Sequence, residues 1–351
     1  MRSLLQTATL ATLTLLPMAG MADVRIYGRL DLAPLYQTNP RDGVNWRLEE
    51  VSANRFGFKG SEKLGKDLDA FFQLEHRFYL DTGAERSGAR MWTDKAWVGL
   101  KSRSFGALSM GRVLTVGNSI VGGSDTEAMT DSAGAINSRK GRIENNMNNG
   151  LFYESPWFTP VGKLKTRVSA HYVLPEVKDI ENPWGLGFEF RQAPFLWDIG
   201  YQHDVYRDAS APAAEDRKSN SWFTGAAWDF GQYEVKATYA HSKGYKGVVS
   251  DHSLYRMTTG SLSLNAHFGR WDLGVMGTKK LEKNTSGVVQ PEINKFAVGY
   301  WYNFSKRTKF MPTIAYEELS GPGYKPRSNG FGRARDKREN VYIEIGFRHE
   351  F

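Results

Sequence analysis

The chain has 351 residues, a formal net charge of +8 at pH 7 and no cysteine, which excludes disulfide scaffolds, thiol catalysis and cysteine-bound zinc. Aromatic residues make up 13% of the chain, yet its mean hydropathy is −0.49. This composition is too polar for a bundle of membrane helices and unusually aromatic for a soluble enzyme.

The first 22 residues differ from everything after them. Arg2 precedes an apolar stretch from Leu4 to Leu16, and small residues follow up to Ala22. This pattern predicts a signal peptide at 1–22, cleaved after Ala22, and a single domain at 23–351. An uncleaved membrane anchor is the alternative, but the apolar run is short for one. After Ala22 no window approaches the roughly 18 apolar residues of a membrane helix. An exported protein without such a helix is secreted, periplasmic or an outer-membrane barrel.

Apolar and polar residues alternate with a period of two along most of the remaining chain. Such alternation over about 10 residues is typical of a strand with a lipid-facing and a water-facing side. From residue 24 onward, one face carries Val24, Ile26, Gly28, Leu30 and Leu32, and the other carries Arg25, Tyr27, Arg29 and Asp31. The pattern recurs at 261–268, 295–304 and 341–351. Because arginine and aspartate share one face, that face is not in contact with lipid.

Turn residues divide the chain into sixteen such segments. The predicted strands cover 24–37, 47–60, 68–80, 90–101, 106–113, 150–155, 163–173, 184–193, 195–206, 220–230, 232–243, 255–268, 271–283, 292–304, 308–319 and 339–351. Tight connections such as Gly269-Arg270 alternate with long polar ones, which is typical of the two ends of an outer-membrane barrel. The sequence therefore predicts an all-β fold, a transmembrane antiparallel β-barrel of 16 strands.

A soluble antiparallel sandwich is the alternative, since it also has one dry and one wet face. Two features favour the barrel. Strand ends carry aromatic residues, as in membrane-interface girdles; the predicted girdle residues are Trp97, Tyr239, Trp271, Tyr300, Tyr302 and Tyr316. Charges also lie deep within the polar faces, which fits a water-filled lumen; they include Arg29, Arg55, Lys59, Glu75 and Arg77.

Four stretches of the chain resemble the Gram-negative general porins, especially those of betaproteobacteria. They are VRIYGRLD at 24–31, NRFGFKGSE at 54–62 followed by Leu64-Gly65, YNFSKRT at 302–308 and the terminal GFRHEF at 346–351. The resemblance extends from about Asp23 to Phe351. It implies a homotrimer in the outer membrane, and it implies that Phe351 is the signal that the insertion machinery reads.

The resemblance also implies an infolded third loop that narrows the pore. The connection 114–149 is the longest in the chain and suits this role, because connections of such length are usually functional. It is rich in Gly, Ser, Asn and Asp, so an external loop that does not fold inward is the alternative.

In similar porins, acids on this loop oppose basic residues of the barrel wall. The resemblance implies that Arg29 and Arg55 belong to the basic side; the opposing acids would be Asp125, Glu127 and Asp131. Asp94 and Asn146 stand where the family commonly has arginine, so the basic cluster is not intact. Arg77, Arg90 and Arg142 are candidates to compensate. A solvated-face role is the alternative for each of these charges.

Two further features concern partners. Arg112 matches a Gly-Arg pair that stands near the threefold interface of related porins, and a plain wall arginine is the alternative. The loop 320–338 is basic, with Lys325, Arg327, Arg333, Arg335, Lys337 and Arg338 against Asp336. Such a loop can bind outer-membrane lipid and acidic lipopolysaccharide, or raise the anion concentration at the mouth, unless it only solubilises the protein.

These observations predict a passive diffusion channel for small hydrophilic solutes and inorganic ions, with moderate anion preference. No cofactor is expected, because the seven histidines are scattered without metal-ligand spacing. An enzyme and a nucleic-acid partner are disfavoured, since no nucleophile motif occurs in a fitting context and positive charge is spread along the chain. The alternatives are a substrate-specific outer-membrane channel, an adhesive or structural barrel with a closed lumen, and an outer-membrane hydrolase.

Overall fold

The computed structural model describes residues 23–40, 42–86, 90–120, 145–174, 181–206, 217–245, 254–284, 292–320 and 338–351. The predicted signal peptide lies outside these residues, and so do the predicted loop acids Asp125, Glu127 and Asp131 and the candidate Arg142.

Most of the described chain is β-strand. The strands are β1 (Asp23–Gln37), β2 (Trp46–Glu49), β3 (Asn54–Lys63), β4 (Asp69–Phe78), β5 (Lys95–Ser102), β6 (Gly106–Leu114), β7 (Asn146–Glu154), β8 (Phe158–Val161), β9 (Leu164–Val173), β10 (Trp184–Gln192), β11 (Phe195–Tyr206), β12 (Arg217–Asp229), β13 (Tyr233–Tyr245), β14 (Leu254–Phe268), β15 (Trp271–Asn284), β16 (Glu292–Asn303), β17 (Thr308–Ser320) and β18 (Glu339–Glu350). One short helix, α1 (Val116–Ile120), follows β6. Within the described residues, no helix is long and apolar enough to cross a membrane.

The strands form one closed antiparallel sheet in which each long strand pairs with its neighbours in sequence. β1 closes the ring by pairing with β18, with Asp31 opposite Arg348 and Leu32 opposite Phe347. The last residue completes this seam, because the Gly28 amide donates to the Phe351 carbonyl at 3.1 Å and the Phe351 amide donates to the Gly28 carbonyl at 3.2 Å. A closed sheet satisfies its backbone without leaving a free edge.

The alternation predicted from the sequence separates the two faces of this barrel. On β18, Ile343, Ile345 and Phe347 are 39, 43 and 51% exposed on the outside, whereas Tyr342 and Glu344 are fully buried on the inside. Apolar side chains on the outside and charged side chains on the inside fit a barrel that lies in lipid and has a water-filled lumen. The predicted all-β transmembrane antiparallel β-barrel is therefore confirmed.

Two barrel strands are interrupted, which the sequence prediction did not show. β2 and β3 occupy one strand position beside β1, but Ala33 lies opposite Glu49 and Arg29 opposite Arg55, so residues 50–53 form a bulge. β7 and β8 likewise share one position beside β9. Counting each interrupted pair once, the eighteen strand segments of the described chain fill the predicted sixteen positions.

Several boundaries and one side-chain orientation differ from prediction. The strand predicted at 90–101 begins only at Lys95, and the strand predicted at 150–155 extends from Asn146 to Val161 through its bulge. The prediction of Trp97 as a girdle residue was wrong: Trp97 lies opposite the lumenal Gln73 and packs against a buried apolar cluster that includes Val113 and Phe152. That prediction rested on an aromatic ring near a strand end, whereas the alternation with Val98 and Leu100 and the observed register both place Trp97 inside.

Candidate pore constriction

Three arginines lie side by side on the lumenal wall. Register pairs Arg29 of β1 with Arg55 of β3, and Arg55 with Arg77 of β4. We call these three residues the arginine row. Their side chains are 28, 24 and 26% exposed, so each guanidinium is partly in contact with lumenal solvent. Neighbouring like charges in a sheet repel one another, and the row therefore needs nearby acids.

Glu75 is the acid that supports the row. Its side chain is 1% exposed, and its carboxylate lies 3.6 Å from an Arg55 nitrogen and 3.2 Å from the Lys95 ammonium. The Tyr27 hydroxyl also donates to it at 2.9 Å. These contacts join β1, β3, β4 and β5 through one buried carboxylate. Charge-assisted bonds of this kind are stronger than neutral ones.

Asp94 acts in the same way at the other end of the row. Its carboxylate lies 2.5 Å from an Arg77 nitrogen and 3.9 Å from the Lys95 ammonium. The Asn146 amide group donates to the Asp94 carbonyl oxygen at 2.6 Å. The two residues that replace the expected arginines thus lie together, and Asp94 orients Arg77.

The first end of the row continues to the barrel seam. Arg29 donates to Glu350 of β18 at 2.9 Å and to the Ser52 hydroxyl at 3.3 Å. Two residues further along β1, Asp31 has a buried carboxylate. Arg348 donates to it at 2.8 Å, and Ser52 donates to it at 2.8 Å. Ser52 lies in the bulge between β2 and β3, so the interruption of this strand supplies a hydrogen-bonding group to the wall.

The start of the third long connection lies inside the barrel. α1 packs on the lumenal faces of β10 and β11, where Gly187 has no side chain; a Cβ at that position would lie 2.5 Å from Val116 and 2.7 Å from Ile120. The Val116 amide donates to His171 at 3.0 Å, and the Gly117 amide donates to Gln202 at 3.2 Å. The chain therefore turns inward after β6, while its course over 121–144 lies outside the described residues.

Arg90 and Arg112 do not join the row. Arg112 lies opposite Ala96 on the outer face of the barrel, and its guanidinium donates to the Thr93 carbonyl at 2.8 Å and to Asn148 at 2.7 Å. Arg90 donates to the same Asn148 side chain at 3.1 Å. Arg90 therefore does not compensate for the missing wall arginines.

The opposite part of the lumen has a different lining. Ser221, Ser242, Ser261 and Thr278 come from β12, β13, β14 and β15, and we call them the hydroxyl wall. Ser221 and Ser242 share a hydrogen bond of 2.8 Å, and Ser261 and Thr278 share another of 2.8 Å. These four residues are at most 7% exposed and their hydroxyls bond to one another, so this wall carries no fixed charge and its polar groups are paired within the wall.

Sequence reasoning named the three arginines but missed the role of Lys95 and gave Glu75 no partner. Glu75 and Arg77 share a strand face by period two, but the pairing of Glu75 with Lys95 depends on the register between β4 and β5. Among the described residues, no group of three His, Asp or Glu side chains is placed to hold a metal ion.

A closed barrel with an apolar exterior and a charged, water-accessible interior defines an outer-membrane channel. The profile of the Gram-negative porin family matches residues 7–322. The chain belongs to this family, and its location is the outer membrane of a Gram-negative bacterium.

Relatives span nearly the whole chain. A major outer membrane protein P.IB of Neisseria meningitidis is 28% identical, and the match covers 97% of this chain and 98% of that protein. An outer membrane porin protein of Bordetella pertussis is 22% identical, and the match covers 86% of this chain and 83% of that protein. Among solved structures, an anion-selective porin from Comamonas acidovorans has a TM-score of 0.74 at 17% identity, covering 94% of this chain and all of that one. The trimer form of OmpT from Vibrio cholerae has a TM-score of 0.68 at 14% identity, covering 94% and 99%.

Proposed function

We propose that this porin is a passive diffusion channel for small hydrophilic solutes and inorganic ions, with a moderate preference for anions. The arginine row carries this proposal, because it places three guanidinium groups side by side on the lumenal surface. Positive charge along an aqueous path raises the local anion concentration. The mechanism needs no catalysis and no cofactor, only size exclusion and the field of fixed charges.

The balance of charge around the row supports a bias rather than strict exclusion of cations. Glu75, Asp94 and Glu350 neutralise part of the row. We further propose that Asp125, Glu127 and Asp131 face the row from the third loop, which would reduce the preference. The structural similarity to an anion-selective porin is consistent with a bias in this direction.

The wild-type reversal potential in a planar bilayer tests the proposal. Under a KCl gradient at low salt, we expect large ohmic current steps and a reversal potential of the sign that chloride permeation gives. A channel that selects potassium at low salt would contradict the anion preference. A protein that inserts without conducting would favour the adhesive barrel instead.

We also propose that the protein is a homotrimer with Arg112 at the subunit interface. A guanidinium on the outer face of a membrane strand is costly in lipid, and Arg112 donates there to the Thr93 carbonyl and to Asn148. Contact with another subunit would remove this group from lipid. The similarity to the trimer form of OmpT is consistent with this arrangement.

Unheated gels and ultracentrifugation in mild detergent test the trimer. We expect a heat-modifiable oligomer, with Arg112→Leu lowering the temperature at which it dissociates. Arg270→Leu, in the tight turn after β14, is the matched control and should not change that temperature. A monomeric wild-type protein would contradict the trimer, whereas equal dissociation of all three proteins would contradict only the role of Arg112.

Three assignments complete the proposal. Residues 1–22 are a cleaved signal peptide, the basic loop 320–338 contacts lipopolysaccharide, and Phe351 is an assembly signal. Deletion of Phe351 should lower the amount of folded barrel in the outer membrane more than it lowers synthesis, since this residue bonds to Gly28 at the seam. Equal amounts of folded barrel with and without Phe351 would remove its assignment.

A further inference from the structure

A cavity of about 580 Å³ lies in the periplasmic half of the lumen. Its wall comes from β1 and from β3 to β7, and Ser119 of α1 lies at its boundary. Lys59 and Gln73 in this wall lie four residues along β3 and β4 from the arginine row, which corresponds to about 13 Å at the usual strand rise. A solute that passes the row from outside therefore reaches this cavity next.

Aromatic side chains form one side of the cavity. Phe71 lies across Gly99, where a Cβ would come within 2.6 Å of the Phe71 ring. Trp97 stands beside it, and Phe152 belongs to the buried cluster against which Trp97 packs. The absence of a side chain at Gly99 is what allows the Phe71 ring to spread over the wall. The result is a flat apolar surface beside the polar and charged residues of the same cavity.

Two lysines border this aromatic surface. The Lys59 ammonium lies 5.0 Å from the centre of the Tyr27 ring, and Lys101 lies in register with Asp69. In the part of the chain that the structure describes, neither ammonium forms an ion pair. Lys101 interacts electrostatically with Glu154, so the Lys59 ammonium is the one available to a negatively charged ligand. The acids at the same cavity are partly engaged, since Asp23 pairs with Arg25 and Glu154 lies 2.7 Å from an Arg167 nitrogen.

We propose that this cavity binds an aromatic monocarboxylate, with the ring on Trp97 and Phe71 and the carboxylate at Lys59. The ring gains apolar contact and the carboxylate gains a charge partner. The acids that also line the cavity, Asp69 and Glu154 among them, disfavour ligands of higher negative charge. This proposal adds a substrate class to the proposed anion preference. It rests on that proposed function only because the ligand must reach the cavity through the channel.

Benzoate tests the proposal, with acetate as a carboxylate without a ring and benzyl alcohol as a ring without charge. Single-channel current of the reconstituted protein should fall reversibly with benzoate at millimolar concentration and should not respond to the other two probes. Saturation-transfer NMR on the detergent-solubilised protein should likewise show binding of benzoate and not of acetate or benzyl alcohol. Trp97→Leu and Lys59→Gln should each weaken the benzoate effect by about threefold or more.

Matched variants separate this site from general effects. Trp271→Leu on the outer face and Lys306→Gln in a periplasmic turn should leave the benzoate response unchanged. Phe71→Leu is a second probe of the aromatic surface if Trp97→Leu fails to give a heat-modifiable barrel. Equal responses to benzoate and acetate, or wild-type responses in Lys59→Gln and Phe71→Leu, would overturn the proposal.

The two proposals fail in different ways. A cation-selective channel that benzoate still blocks through Lys59 and Trp97 would remove the anion preference and keep the binding site. An anion-selective channel without any benzoate-specific response would keep the proposed function and remove the binding site.

Discussion

The arginine row and the hydroxyl wall face the same lumen from strands with the same alternation, yet their chemistry differs. On β1, β3 and β4 the inward positions carry guanidinium groups held by buried acids, whereas on β12 to β15 they carry paired hydroxyls. The alternation of apolar and polar residues determines which residues face water, but not the chemical character of the water-facing surface. The charged side sets a direction for the field, whereas the hydroxyls of the neutral side are buried, are paired with one another and add no charge.

The buried acids distinguish the two sides further. Each hydroxyl pair is complete within itself, but the arginine row depends on Glu75, which contacts groups from three other strands. Removing a single group from the charged side therefore alters several partners at once. Removing one from the hydroxyl wall alters a single neutral bond. Four measurements can test this contrast.

Reversing a charge in the row should have the largest effect. Arg55→Glu changes the fixed charge by two units, and one unit at 4 Å is worth about 1 kcal/mol even in bulk water. We expect the chloride-to-potassium permeability ratio at low salt to fall at least about threefold, with little loss of conductance. Arg270→Glu, outside the lumen, should keep the wild-type ratio; if Arg55→Glu also keeps it, Arg55 does not act at the constriction.

Ionic strength should have the next largest effect. The screening length falls from about 10 Å at 0.1 M salt to about 3 Å at 1 M, so the wild-type anion bias should largely disappear over this range. The measurement is the reversal potential at a constant KCl ratio and increasing mean concentration. A bias that persists at 1 M salt would point to contact binding of anions instead of a diffuse field.

Neutralising the supporting acid should act in the opposite direction to Arg55→Glu. Glu75→Gln removes one negative charge beside Arg55 and Lys95, so anion preference should increase. It should also lower barrel stability by about 1 to 3 kcal/mol, because charge-assisted bonds across four strands are lost. The unfolding temperature on gels and the reversal potential report these effects separately. Unchanged values of both would show that Glu75 does not support the row.

Altering the hydroxyl wall should have the smallest effect. Ser261→Ala removes one partner of the Ser261 and Thr278 pair, with a cost near 1 kcal/mol and no change in charge. The permeability ratio should stay at the wild-type value. Ser261→Asp is the informative companion, because a negative charge there should shift the ratio toward potassium. A shift produced by Ser261→Ala itself would show that the neutral side also discriminates between ions.

Much of the barrel could be predicted because membrane strands repeat a simple pattern. The faces of 24–32, 295–304 and 341–351 followed directly from alternation, and Gly and Asn at the turns separated the strands. The bulge at 50–53 leaves a trace in the sequence, since Glu50 directly follows Glu49 and interrupts the alternation, but one such irregularity does not define how many residues bulge out. The lumenal orientation of Trp97 follows from the same period of two, since Trp97 shares a face with Lys95 and Lys101 while Val98 and Leu100 lie on the other; its girdle assignment rested on its aromatic character alone.

The site was predictable to a similar extent. Arg29, Arg55 and Arg77 could be assigned to the wet face from their positions in the strands. Their contact in one row required the pairing of β1 with β3 and of β3 with β4. The role of Lys95 depended on the pairing of β4 with β5, and that of Asp94 on its position just before β5, where it meets Arg77 of β4.

The bulge between β2 and β3 constrains how this wall can change in evolution. Between the pairs Ala33–Glu49 and Arg29–Arg55, one side has three residues and the other has five. The surplus is an even number, so the residues beyond it keep their inward and outward directions. An insertion or deletion of one residue at 50–53 would turn Arg55 toward lipid and Phe56 toward water. Length variation at this position is therefore expected in steps of two residues.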